Sequence, residues 1–293
     1  MFNTIENYLE ALKTEMKDAD PALIQDAQTD ANEHLSTALL AAHEANPDIS
    51  DADALGKIIE EYGSPEETAS AYREIERRTS PTLKQTAKPR SWLGRIFGVY
   101  IDPRTWGSLL FMFITFVTGI IYFTWAVTGA ALSLSFLILI IGIPFAILFL
   151  FSVQGLALLE GRLVEALLGE RMPRRPLFSQ PGLSWTERLK TLMTDKHTWI
   201  SLLYMVLQLP LGIIYFTVNV TVITTALAFI FAPIGKFIFH VSEIQLDFGT
   251  TATPDWVLYL LPIAGFILLT VTLHLVRSAG WLHGKYAKWL LVS

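Results

Sequence analysis

Asp102-Pro103-Arg104-Thr105-Trp106-Gly107-Ser108-Leu109-Leu110, followed at Gly119 by Gly119-Ile120-Ile121-Tyr122-Phe123-Thr124, returns 93 residues later. The second copy reads Asp195-Lys196-His197-Thr198-Trp199-Ile200-Ser201-Leu202-Leu203, then Gly212-Ile213-Ile214-Tyr215-Phe216-Thr217. Twelve positions are identical at that single offset, so the block is a duplication. A second register, at an offset of 123, sets Gly161-Arg162 and Leu167-Leu168 against Gly284-Lys285 and Leu290-Leu291. The 30-residue difference between the two offsets places an insertion in the second copy, over 222–255.

Each copy opens on a charged Asp-x-basic-Thr-Trp step, with Trp106 and Trp199 at the headgroup level that Trp favours. A long apolar run follows, then a return. The expected spans are 106–128, 134–158, 199–221 and 256–278, each long enough for a hydrocarbon layer of about 30 Å. Thr128 to Ser133 reads as a tight uncharged turn, and Gly142-Ile143-Pro144 as a kink with small-residue packing, a hinge being the alternative. Tyr122 and Tyr215, at matched repeat positions, read as interface anchors. Arg162 and Lys285 are matched basic residues after the returning runs.

Working outward, composition agrees with lipid as the solvent for this block: 52% of residues are hydrophobic and 17% charged, against about 25% charged in a soluble domain. Charge is divided unevenly. Residues 1–72 hold 16 acids and 3 bases, a net of −13, and residues 73–293 hold 11 acids and 19 bases, a net of +8. Bases gather before the first span, between the second and third, and after the fourth, which by the positive-inside rule puts both termini and the central connection in the cytoplasm of an inner (plasma) membrane. A fifth span over 222–241 would move the basic C-terminus outside, so that segment is read as interfacial or extracytoplasmic. The first twenty residues are acidic and amphipathic, so no cleavable leader is expected.

Before residue 80 four helices are legible. Ile5, Tyr8, Leu9, Leu12 and Met16 form one apolar stripe. Asp20-Pro21 caps a second helix carrying Leu23, Ala27, Ala31 and Leu35. Ser50 with Asp53 opens a third that Gly63 ends, and Ser64-Pro65-Glu66-Glu67 is a capping box for a fourth. His34 and His43, nine residues apart, fall on opposite faces, so they share no metal site. The fold expected is all-α: a helical domain over 1–78, a basic linker over 79–100, a first membrane repeat over 101–178, a connection over 179–194, and a second repeat over 195–293.

Two resemblances follow from these motifs. Tyr62-Gly63-Ser64-Pro65-Glu66-Glu67-Thr68-Ala69, with Tyr8-Leu9-x-x-Leu12 and Glu33-His34-Leu35, resembles the HAAS-type signalling domain, a helical module often found with PadR-type transcription regulators. The paired Asp-x-basic-Thr-Trp starts, Gly142-Ile143-Pro144, Glu160-Gly161-Arg162 to Leu168-Gly169 and Met172-Pro173 resemble the putative-sensor membrane domain of histidine kinases. In those kinases a phosphoacceptor and an ATP-binding module follow; within residues 1–293 neither is read, so no phosphotransfer by this polypeptide is expected.

The function these imply is a non-catalytic membrane sensor whose acidic head reports to a cytoplasmic regulator, with a small transporter or channel as the alternative. Without cysteine, thiolate chemistry and cysteine metal sites are excluded. The six histidines lack ligand spacing, and no cofactor or metal is expected. The expected partners are the lipid bilayer, a cytoplasmic regulator of complementary charge and a second copy of the chain, with no direct nucleic-acid contact. The basic loops of the same chain are the rival claimants for the head's acids. Within the insertion, Lys236, His240, Glu243 and Asp247 form the candidate sensing segment.

Overall fold

A computed structural model describes residues 2–79, 83, 91–136, 142–175, 190, 192–238 and 255–292. Its elements are α1 (Ile5–Glu15), α2 (Pro21–Ala45), α3 (Asp51–Tyr62), α4 (Pro65–Thr79), α5 (Trp92–Phe97), α6 (Pro103–Phe136), α7 (Gly142–Leu168), α8 (Lys196–Ile238) and α9 (Asp255–Leu291). No strand occurs among the described residues.

The head forms where its caps say it should. Asp20 accepts from Ala22 N at 3.0 Å, Ser50 accepts from Asp53 N at 3.2 Å, and Ser64 and Glu67 exchange bonds at 2.9 and 3.3 Å. Gly63 takes φ +111°, a conformation glycine reaches without a Cβ penalty. The stripes from α1 and α2 meet in one core around Tyr8, Leu12, Met16, Leu23, Leu35 and Leu55. Tyr8 closes it, donating to Gly63 O at 2.9 Å and lying 3.1 Å from Thr68 Oγ1. His34 stacks on Tyr62 and His43 pairs with Asp51 at 2.7 Å, so the two histidines stand apart.

Among the described residues, four helices are long and apolar enough to cross a membrane, Trp92–Phe136 (α5 and α6 taken together), α7, Lys196–Gly235 of α8 and Trp256–Leu291 of α9. The repeat is written into their packing. A Cβ at Gly119 would lie 2.8 Å from Gln208 O, and one at Gly212 would lie 2.6 Å from Thr115 O. Since 115 and 119 become 208 and 212 at the repeat offset, these are one contact seen from both copies. The α6–α8 crossing therefore sits on a local pseudo-two-fold axis, and its two glycines let the backbones touch.

One end of the bundle gathers the N-terminal turns of α6 and α8 and the C-terminal turns of α7 and α9. Asp102 pairs with Arg277 at 3.0 Å, and a Cβ at Gly280 would meet Ser108. The starts are matched in detail. Asp102 accepts from Arg104 N at 3.0 Å and Asp195 from His197 N at 3.1 Å. Trp106 and Trp199, 51% and 52% exposed, donate to the carbonyls of Tyr100 and Met193 at 2.8 and 2.7 Å. Before α6, α5 and its following turn lie along α9, with Tyr100 stacked on Phe266.

Several expected boundaries move. Thr128 to Ser133 is helix, because Ala130, Ala131 and Leu132 are good helix formers and α6 continues to Phe136. Gly142-Ile143-Pro144 is helical where the described part of α7 begins, and the residues just before it lie outside the described ones. The third span does not stop at 221. Residues 222–238 prolong α8, a 43-residue helix of roughly 64 Å. Lys236 stands on that helix, while His240, Glu243 and Asp247 lie outside the described residues.

Candidate functional site

Side chains from all four long helices converge on Glu160, a residue of α7 that is 1% exposed. Tyr204 and Gln208, four residues apart on α8, share one helix face. Tyr204 donates to Glu160 Oε1 at 3.0 Å and Gln208 Nε2 donates to the same oxygen at 2.7 Å. His283 of α9 lies with Nε2 3.1 Å from Tyr204 Oη and Nδ1 3.2 Å from Tyr215 Oη. From α6, the buried Tyr122 hydroxyl sits beside Glu160 but outside hydrogen-bond geometry.

The duplication built this cluster. At the second offset, Glu160 of the first copy corresponds to His283 of the second, each one residue before the matched glycine. Tyr122 beside Glu160 corresponds to Tyr215 beside His283. Tyr204 on Glu160 corresponds to Phe111, whose ring lies 4.8 Å from that of His283. Thr115 corresponds to Gln208. An apolar or small residue in copy one is thus a donor in copy two, and the donors surround the carboxylate. Glu160 Oε2 and Gln208 Oε1 are buried without a hydrogen-bond partner, which is costly where water is scarce.

Past Leu168, where it ends, α7 hands on to the head. Gly169, at φ +74°, turns the backbone, and Arg171, 3% exposed, reaches back into α2 and α4. It bonds Asp26 at 2.7 Å and Glu76 at 3.1 Å. Asp26 also accepts from the backbone N–H groups of Arg174 and Arg175 at 2.7 and 3.0 Å. Arg175 pairs with Asp30, and Lys288 at the end of α9 pairs with Asp20 at 2.5 Å. Tyr72 donates to Asp30, and burial together with that carboxylate pushes its phenol well above the ordinary range. Asp20, Asp26, Asp30 and Glu76 of the head are thus engaged by bases of the same chain. Met172, next to Arg171, is fully buried in the cluster that holds Tyr204, Phe111 and Val164.

Of the residues singled out in the sequence, Arg162 bonds the Arg174 carbonyl at 3.2 Å and so trims this latch. Lys285 lies 4.0 Å over the Trp281 ring. Tyr122 and Tyr215 are not interface anchors. They face inward on Glu160 and His283, because the Gly119 and Gly212 crossing turns that side of α6 and α8 to the interior. Glu160, quoted above only within a family motif, and His283, counted only among the six histidines, were not singled out as site residues because both lie past the expected span ends at 158 and 278. The matched glycines after them were the available signal. Among the described residues, no group of three or more His, Asp or Glu side chains converges as metal ligands.

No curated protein and no solved structure matches the chain. The Putative sensor family matches residues 113–291, more than half of the chain, taking in Glu160, Arg171, Tyr204, Gln208 and His283. An all-helical membrane-type block carrying a duplicated buried polar core, matched over that length, belongs to the Putative sensor family.

Proposed function

We propose that the protein is a non-catalytic signal transducer of the inner (plasma) membrane, with both termini in the cytoplasm. The polar core around Glu160 receives the signal and the docked head carries it out. One observation carries this reading: α7 bears Glu160 and runs directly into the segment whose Arg171 is buried against Asp26 and Glu76. Met172 ties that segment to Tyr204. A small displacement of α7 therefore acts on a buried ion pair, which is an all-or-none contact.

Release of the latch exposes Asp26, Asp30 and Glu76, an acidic face suited to a basic cytoplasmic regulator of the PadR type. A cleft of about 610 Å³, lined in part by Asp30, Tyr62, Glu67 and Arg175, borders the latch and gives a competitor a place to enter.

The chain lacks cysteine, so labels can be placed cleanly at Glu44→Cys in the head and at Met193→Cys, just before α8 of the membrane block. In full-length protein in lipid nanodiscs, Glu160→Gln and Tyr204→Phe are expected to change the head-to-block distance distribution. Folded variants with the wild-type distribution would refute the coupling. A second reading, ion-coupled transport, is favoured by the burial of Glu160 and His283 among the helices. Proteoliposomes that move no ion or proton under an imposed gradient exclude it.

A further inference from the structure

The unpaired atoms of the core point to its ligand. Glu160 Oε1 is saturated by two donors, the Tyr204 hydroxyl and the Gln208 amide. Glu160 Oε2 and Gln208 Oε1, on two side chains already joined through their other atoms, are both buried acceptors that make no hydrogen bond, and the Tyr122 hydroxyl beside Glu160 makes none either. One hydrogen would serve both. Placed on Oε2, it turns a half-made carboxylate–amide contact into a carboxylic acid paired with a carboxamide, each giving one hydrogen bond and receiving one.

We propose that Glu160 is a reversible proton-binding site and that the stimulus received by the polar core is its protonation, an inference that rests on the core being the sensing site. The step is the addition of one proton from water to a carboxylate oxygen, forming an O–H bond and breaking none in the protein.

The surroundings favour a proton over a metal cation. The two donors at Oε1 point hydrogens, hence positive charge, at the oxygen a cation would need. Only Glu160 Oε2, Gln208 Oε1 and Tyr122 Oη remain, where a hard divalent cation takes roughly six oxygens or more. The titratable groups facing Glu160 are phenols and one imidazole: Tyr122 from α6, Tyr204 from α8, and His283 with Tyr286 of α9 behind Tyr204. Tyr215 of α8 joins through His283.

These groups also give the bound proton a consequence. While Glu160 is ionised, Tyr204 donates to it, so His283 donates to Tyr204 from Nε2 and accepts Tyr215 at Nδ1. Every bond in the chain Tyr215, His283, Tyr204, Glu160 then points one way. Protonation removes the charge that fixes that direction, loosening Tyr204, which packs in the same cluster as Met172 beside the latch.

The test uses full-length protein in nanodiscs of neutral lipid. Infrared difference spectra across a pH titration are expected to show the carbonyl stretch of a protonated carboxylic acid that is lost in Glu160→Gln. Tyr204→Phe keeps the ring and removes one hydrogen bond to the ionised form, worth about one pH unit or more in such bonds. It is expected to make protonation easier by roughly that shift. The label pair at Glu44→Cys and Met193→Cys is read in the same samples.

A carboxylic band that titrates in wild type and is absent from Glu160→Gln supports the proton site, whatever the labels do. If the labels stay still while that band titrates, the proton site stands and the transducer reading fails. If no band titrates, or if the band in Tyr204→Phe titrates as in wild type, the proposal is overturned. A wild-type band that responds to sodium or potassium at constant pH also overturns it, because the ligand is then a metal cation.

Discussion

Arg171→Ala should free the head from the membrane block. Arg171 is 3% exposed and holds Asp26 at 2.7 Å and Glu76 at 3.1 Å at once. Removing one partner of a buried ion pair costs about 3–5 kcal/mol, mostly because the other charge is stranded. Asp26 is not wholly stranded, since the N–H groups of Arg174 and Arg175 still point at it. The loss should therefore fall nearer about 2–3 kcal/mol, an undocked population raised roughly 30- to 150-fold at about 1.4 kcal/mol per factor of ten. Arg171→Lys keeps the charge but not the fork that spans two carboxylates, so it should fall between wild type and alanine. Spin labels at Glu44→Cys and Met193→Cys report the separation. The control is Arg78→Ala, an exposed pair with Glu74 of the kind worth under about 1 kcal/mol. If Arg171→Ala releases the head no more than Arg78→Ala does, the latch contributes nothing and the argument fails.

Gly119→Ala and Gly212→Ala should destabilise the bundle alike, each by about 1–3 kcal/mol, because each methyl meets the other helix's carbonyl; thermal unfolding in detergent that separates the two clearly would break the pseudo-two-fold account. Reporter fusions after Asp18, at Gln180 and after Ser293 should read cytoplasm and one at Thr251 outside, and a cytoplasmic signal at Thr251 sinks the four-span topology. The capping bonds from Ser64 hold the Glu67 carboxyl below its usual range. A group depressed by folding stabilises above its unfolded pKa and loses that contribution as pH falls through the folded value. Helix content followed by circular dichroism should therefore show a shallower acid limb in Glu67→Gln than in wild type.

Local chemistry made much of the architecture legible. Helix caps at Asp20, Ser50 and Ser64 depend on neighbours within four residues, and Gly63 acts through its own backbone, so the head's four helices could be read directly. Spans are a matter of summed apolar surface, and the duplication is a matter of identity at an offset. Those signals average over many residues, which is also why they hid the site. A window long enough to find a span treats one carboxylate as noise, and Glu160 and His283 were lost past its edge. The extra length of α6 beyond Thr128 and of α8 beyond 221 was hidden for a related reason. Gly129 in the one and Pro233 with Gly235 in the other signal a stop that neither helix obeys, so where a helix ends depends here on what it packs against.

The sequence alone determined an all-α chain, an acidic head, four apolar spans and two copies of one hairpin. Tertiary structure alone decided that Tyr204 reaches Glu160 across 44 positions, that His283 joins from 79 away, and that Arg171 selects Asp26 from 145 away. Helical periodicity places residues on a face but does not say which face turns inward. That choice was made at the α6–α8 crossing, where Gly119 and Gly212 allow backbone contact. The head's excess of acids, likewise, names no partner. Burial does, because only a charge removed from water must find its counter-ion in place.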